Sequence, residues 1–428
     1  MPMNKSTLLE RRHRVLGRHA LLFYDEPLHL VRGEGVWVYD ADGKRYLDVY
    51  NNVPHVGHCH PHVVEALCKQ ASILNLHTRY LHENVVEYAE RLTATFDEAL
   101  STAMFCCTGT EANELALRIA RFCTGNKGLI VSNFSYHGNS ATLAEATTGL
   151  PAPEALAPHV RAIPIPDPYR APAGQSLSDL ADEFARQVEL AVKSLQDEGF
   201  GVSALLVDTL FSTEGLLAVP PGYLEKAVEH VRRAGGLFIA DEVQPGFGRT
   251  GEHMWGYQSY NVVPDFVTMG KPMGNGHPLA GVVARSDLVA SFGTKALYFN
   301  TFGGNPVSSA VGMAVLDVIE QERLIDNAHD VGQYIRQSLL ALMDKHSIIG
   351  DVRGKGLFFG IELVKDRATK EPASAETRRL IHLMRDHGVL ISKIGPSDNI
   401  LKMRPPMVFT KGDADLLLST LDAALAEL

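Results

Sequence analysis

The sequence predicts an α/β protein: a large unit on a mostly parallel sheet, and a smaller α+β unit drawn from both termini. Two observations carry this reading. From about residue 60 to residue 305, short apolar runs alternate with amphipathic helical stretches; the runs include 128–131, 204–208, 236–240 and 266–269. Continuous apolar runs of four or five residues suit strands buried on both faces, as in a parallel sheet covered by helices. Outside that span strict alternation ends, and hairpins and helices are mixed as in an α+β unit.

The elements follow in order. Val36-Trp37-Val38-Tyr39-Asp40, the turn Ala41-Asp42-Gly43 and Lys44-Arg45-Tyr46-Leu47-Asp48 read as a hairpin. Residues 151–174, rich in proline and alanine, read as an ordered surface excursion, because strand–helix alternation resumes after them. Residues 310–322 read as a long helix leaving the large unit. Beyond it, residues 352–363, 388–392 and a final helix from Asp413 make up the rest of the small unit. The expected division is 1–59 (N-terminal segment of the small domain), 60–309 (large, cofactor-binding domain) and 310–428 (C-terminal part of the small domain).

Composition narrows the function. A chain of 428 residues with 45% apolar content is long enough for two cores. A net charge of −10 supplies no basic excess for a nucleic-acid partner. No apolar run reaches membrane-spanning length, and residues 1–18 are polar and charged without a signal-peptide pattern. The five cysteines, at 59, 68, 106, 107 and 123, are odd in number and show no paired spacing. Reduced thiols in the cytoplasm are the simplest expectation, and no spacing suggests a metal.

Asp241 closes the apolar run Gly236-Leu237-Phe238-Ile239-Ala240, and Lys271 follows the run Phe266-Val267-Thr268-Met269 by one glycine. A carboxylate and an amine at the ends of two buried strands suit pyridoxal 5'-phosphate. The amine forms a Schiff base with the cofactor aldehyde, and the carboxylate keeps the pyridine nitrogen protonated. Thr108-Gly109-Thr110-Glu111-Ala112-Asn113 opens a helix with Leu115, Ile119 and Phe122 on one face. Free N–H groups and the helix dipole make that start an anion site, and glycine permits close approach. The same residues also read as a plain helix start capped by Thr110. Arg79, Lys402 and Arg404 are candidates for a distal anion pocket; guanidinium forks suit phosphate and carboxylate alike.

The stretches 237–251 and 268–281 resemble the class III aminotransferases, a family of fold type I pyridoxal-phosphate enzymes, and the resemblance runs from about Leu22 to Phe409. Segments 51–61, 84–89, 270–278 and 401–407 are most similar to its ethanolamine-phosphate phospho-lyase branch. The resemblance implies that Gly109 and Thr110 hold the cofactor phosphate. Tyr136-His137-Gly138 would supply the ring-stacking aromatic, with Val243 on the opposite face and Gln244 near the phenolic oxygen. Thr301 would reach the phosphate from a neighbouring subunit, which implies a homodimer or larger. Arg404 matches a position that often meets a substrate carboxylate, and Glu214 resembles the glutamate that pairs with it in many aminotransferases. Vertebrate phospho-lyases tend to carry lysine at the Arg404 position, so the chain departs from them there. The expected reaction is β-elimination of phosphate from O-phosphoethanolamine or a related phosphorylated or phosphonylated amine. The alternative is amine transfer from an ω-amino acid or diamine to a keto-acid.

Two signals are set aside. Gly246-Phe247-Gly248-Arg249-Thr250-Gly251 spells a dinucleotide fingerprint but lacks the strand before it and the helix opening on it. His55, His58, His60 and His62 with Cys59 match no zinc spacing.

Overall fold

A computed structural model describes residues 4–151 and 153–428. Three sheets organise them. Near the N-terminus, β1 (Leu30–Glu34), β2 (Trp37–Asp40) and β3 (Arg45–Asp48) form an antiparallel meander, so the expected hairpin is present.

The central sheet has seven strands: β4 (Leu100–Cys106), β5 (Leu129–Ser132), β6 (Val160–Ile163), β7 (Ala204–Asp208), β8 (Leu237–Asp241), β9 (Phe266–Met269) and β10 (Ala280–Arg285). Their order is β4-β10-β9-β8-β7-β5-β6. All neighbours from β9 to β6 pair in parallel, while β10 is antiparallel to both β9 and β4. The mostly parallel reading is therefore correct. Residues 151–174 differ from expectation, because β6 lies inside them and extends the sheet beside β5. Its residues Val-Arg-Ala-Ile are buried only at the two ends, since an edge strand needs less burial than a central one. Residue 152 lies outside the described residues.

The helix Pro306–Gln321 leads away from this sheet into the helix Leu324–Lys345. There follow β11 (Ile349–Lys355), β12 (Phe358–Asp366), β13 (Glu371–Pro372), β14 (Val389–Leu390), β15 (Ser392–Ile394) and β16 (Ile400–Met403). β11, β12, β16 and β15 make an antiparallel sheet with β13 on its edge. β14 instead pairs in parallel with β3, Val389 opposite Leu47, and so ties the two ends of the chain together.

Register fixes the site. Across β7, β8 and β9, Asp208 stands opposite Asp241, and Asp241 opposite Thr268, all at carboxyl ends of parallel strands. In open α/β sheets that edge is where ligands bind. The strands beneath are buried apart from the half-buried Leu237, which holds these polar ends in fixed relation. Of the opening residues 1–18, Met1–Met3 lie outside the described residues, and Lys5–Leu16 is a helix with no buried side chain. Among the described residues, no helix is long and apolar enough to cross a membrane.

Candidate active site

The helix Gly109–Thr124 begins with a capping box in which Thr108, not Thr110, is the cap. Thr108 accepts from the Glu111 N–H, and the Glu111 carboxylate accepts from the Thr108 N–H. Thr110 is thereby released from capping, and among the described residues nothing pairs with the N–H of Gly109 or Thr110. Two free donors at a helix start form an anion seat. Its crowding explains the glycines. A Cβ on Gly109 would lie 2.9 Å from Val243 Cγ2, and one on Gly138 only 2.8 Å from Thr110 Oγ1.

Asp241 is buried at the end of β8. Its Oδ2 accepts from Asn113 Nδ2 at 2.9 Å and lies 2.7 Å from His137 Nδ1, and its Oδ1 accepts from the Val243 N–H at 3.1 Å. Burial alone would raise its pKa, but His137, Asn113 and the Val243 N–H outweigh burial and hold it below the ordinary value. His137 moves the opposite way. Burial pulls it down, the Asp241 carboxylate pulls it up more strongly, and the net shift is upward.

Lys271 starts a short 3-10 turn, Lys271–Gly274, just after β9. Among the described residues its amine has no hydrogen bond or ion pair. Burial, and then the positive charge of Arg404, lower its pKa to about 8. A lysine near neutrality carries enough free base to attack a carbonyl. Asn275 in the same loop anchors segment 51–61, accepting from the Val56 N–H at 2.9 Å and donating to the Gly57 carbonyl at 2.9 Å. Tyr136 is half-buried in the turn that also carries His137, and Val243 is buried two residues past Asp241.

At the substrate end Lys402 and Arg404 are both buried. Lys402 Nζ donates to the Ser212 carbonyl at 2.8 Å and to Gln244 Oε1 at 3.0 Å, while Arg404 Nη1 donates to that same Gln244 oxygen. Arg404 Nε reaches the Tyr50 carbonyl at 2.7 Å, and its guanidinium lies over the Tyr50 ring at 4.7 Å. Burial and the neighbouring Arg404 push the Lys402 pKa well down. Glu214 does not pair with Arg404. Its two oxygens accept from the Ser132 hydroxyl and the Thr213 N–H instead. Burial, and next the charge of Asp208, raise its pKa to about 7.

Arg79 and Thr301 stand apart from this group. Both are exposed, and the Arg79 guanidinium lies over Phe299 at 4.4 Å in a depression of about 660 Å³. The Thr301 loop leans on the anion-seat helix through Asn300, whose Nδ2 is 3.3 Å from Glu111 Oε1.

The histidines of segment 55–62 go to separate partners: Phe247 O, Asp48, Glu322 and Asp317. The Gly246–Gly251 loop is a buried turn whose Arg249 donates to the carbonyls of Leu357 and Pro405, and no helix opens on it. Sequence reasoning gave no role to Asn113, Thr268, Ser132 or Asp208. Asn113 carried one signal, as a poor helix former amid the buried residues Ala112, Ala116 and Leu117.

An anion seat, a carboxylate held ionised and a free amine, set on three adjacent elements, fit pyridoxal phosphate group by group. The profile described as Aminotransferase class-III matches residues 24–425. The chain is 40% identical over 425 residues to an alanine–glyoxylate aminotransferase 2-like protein of Drosophila melanogaster, covering 97% of this chain and 86% of the relative. It is 37% identical to ethanolamine-phosphate phospho-lyase homolog 1 of Caenorhabditis elegans, covering 99% and 94%. A solved phospholyase from Arthrobacter, in complex with phosphoethanolamine, superposes with a TM-score of 0.96 at 54% identity, covering 98% of this chain and 100% of that one.

Proposed function

We propose that this chain, which belongs to the class III aminotransferase family and is a pyridoxal-phosphate enzyme of fold type I, is a phospho-lyase for O-phosphoethanolamine or a related phosphorylated or phosphonylated amine. The observation that carries the reading is the buried pair Lys402 and Arg404. They share one amide oxygen, among the described residues no carboxylate hydrogen-bonds to either, and Glu214 is turned away to Ser132. A buried lysine and arginine that share an amide oxygen, with Asp208 acting on both only electrostatically, suit a dianion, whose charge would keep both protonated. The phosphoethanolamine complex of the Arthrobacter phospholyase supports the same choice.

Pyridoxal phosphate, when bound, supplies an electron-withdrawing ring conjugated with the substrate nitrogen. Gly109 and Thr110 would hold its phosphate, Tyr136 and Val243 its two ring faces, Gln244 its phenolic edge and Asp241 its ring nitrogen, with His137 fixing Asp241. Lys271 Nζ would hold it covalently and, once released by the incoming amine, take a proton from the carbon beside the substrate nitrogen. Lys402 and Arg404 orient the phosphate, which leaves with the electrons of its C–O bond. Return of Lys271 Nζ to its place would free the resulting enamine, and one water then converts it to aldehyde and ammonia. Amine transfer to a keto-acid is the second reading, favoured by a guanidinium rather than an ammonium at Arg404.

The working unit in this reading is a homodimer in the cytoplasm, with Thr301 reaching the partner's cofactor phosphate and Arg79 completing the anion pocket across the contact. The apolar side chains around them are left open: Leu81 is 100% exposed, Leu297 89% and Phe302 69%. Thr301→Ala should weaken cofactor retention, and a monomer fully active at high dilution would contradict this arrangement.

Reaction type is tested with purified enzyme and O-phosphoethanolamine. Phosphate and ammonia should appear in equal amounts without any keto-acid. Efficient transfer to pyruvate or 2-oxoglutarate, with no phosphate released, would select the aminotransferase.

A further inference from the structure

We propose that Asn113 is the positioning residue that orients Asp241 toward the cofactor ring and locks the anion-seat helix to the lysine strand. Its side chain joins four pieces of the site. Nδ2 donates to Asp241 Oδ2 at 2.9 Å and to the His137 carbonyl at 2.8 Å, and Oδ1 accepts from Thr268 Oγ1 at 2.6 Å. Thr268 lies opposite Asp241 in the sheet and three residues before Lys271. One amide thus bridges the helix that seats an anion, the turn that carries Tyr136, the carboxylate and the lysine strand.

The amide orientation is fixed by its partners. Turned over, it would set its oxygen against Asp241 Oδ2, an acceptor facing an acceptor. Asn113 is 1% exposed, so water cannot replace a lost bond, and each unpaired group would bear its desolvation cost. The arrangement also sorts the two carboxylate oxygens. Oδ2 is taken up by Asn113 and His137, whereas Oδ1 has only the Val243 N–H and keeps a lone pair for an N–H donor. A buried network of this kind sets direction as well as charge.

The inference concerns a step shared by β-elimination and transamination, so it stands or falls apart from the choice of reaction. Asn113→Ala and Asn113→Leu are compared with wild type in the full chain reconstituted with pyridoxal phosphate. kcat should fall by roughly 10–100-fold, the scale for losing the outer partner of an oriented group, with KM changed by less than about twofold. A second readout separates positioning from mere support of the fold. With Asp241 held less firmly, the ring nitrogen keeps its proton less well and the chromophore linked to Lys271 becomes more basic. Its absorbance titration should therefore move to higher pH by about half a unit or more. The charged groups around Asp241 and Lys271, namely Asp208, Glu214, Lys402, Arg404 and His137, remain in both variants. In a Lys271→Ala background, Asn113→Ala should speed loss of non-covalent cofactor on dialysis. If Asn113→Ala does not fold, Thr268→Val, which frees the amide while keeping the side-chain shape, is read the same way. An unmoved titration midpoint, with any lost activity tracking a lower melting temperature, overturns the proposal.

Discussion

Around Asp241 three donors from three elements converge on one carboxylate, whereas around Lys402 and Arg404 two cations converge on one amide oxygen and two backbone carbonyls. The first region is closed, charge-matched and complete within one chain. The second joins its two basic groups through an amide, with Asp208 acting on both only electrostatically, and Arg79 and Thr301, expected to serve the site, lie exposed elsewhere. The difference separates a seat for a resident group from a pocket for a changing one. A cofactor-holding floor can be rigid because its ligand never changes. A specificity pocket must leave its charge unmatched until the substrate arrives, since a pre-formed ion pair would have to be broken first.

Breaking the floor should have the largest effect. Lys271→Ala should lower turnover by about 10⁴-fold or more, the scale for losing a group that takes part covalently. Borohydride reduction and peptide mapping should label Lys271 in the wild type, and label on another lysine would contradict the assignment. Because the folded amine titrates near 8 rather than 10.5, its reaction with pyridoxal phosphate in the cofactor-free protein should rise with pH and reach half its maximum near that value. Asp241→Asn comes next. It keeps the shape and loses the charge, so kcat should fall on the order of 10²–10³-fold; near-normal turnover would remove Asp241 from its role.

At the substrate end the losses should be smaller and lie in KM. Arg404→Lys, Lys402→Met and Arg79→Ala should each raise KM for O-phosphoethanolamine by roughly 10–100-fold, as expected for one charge-assisted hydrogen bond. If only the first two do so, the pocket is complete within one chain, and the contrast drawn above weakens.

The smallest effect belongs to Glu214. Its folded pKa of about 7 lies above the ordinary 4.5, so the folded chain holds a proton there that the unfolded chain has released. Stability from this group is therefore lost as pH rises from about 4.5 to about 7. Glu214→Gln should melt with wild type at pH 5 and above it at pH 8. Equal melting temperatures at both pH values would mean that Glu214 is ionised without cost, as a partner of Arg404 would be.

Much of the fold was legible from strand composition. The runs leading to Asp208 and Asp241 are apolar throughout, and the run ending at Met269 is broken only by Thr268, a pattern that two-sided burial explains. β6 escaped notice because an edge strand, with Arg161 in its middle, lacks the full apolar signature. The cofactor residues were legible because each follows a strand or opens a helix, positions that register alone brings together. Asn113 was quoted within its motif but given no role, since its three partners are 24, 128 and 155 residues away along the chain. The same limit hid the convergence of two distant segments on residues 49–57. Arg404 N–H donates to the Val49 carbonyl, Met407 N–H to the His55 carbonyl, and Asn275 Nδ2 to the Gly57 carbonyl.

By itself the sequence determined the alternating α/β architecture and the cofactor, and it singled out the lysine and aspartate proposed to serve it. These depend on local patterning and on short motifs whose chemistry survives in isolation. Tertiary structure alone decided that Glu214 bonds Ser132 rather than Arg404, and that Gln244 is shared by Lys402 and Arg404. Each of those outcomes is a competition between partners distant in sequence, settled by which groups the packed core leaves within hydrogen-bond reach and shields from water.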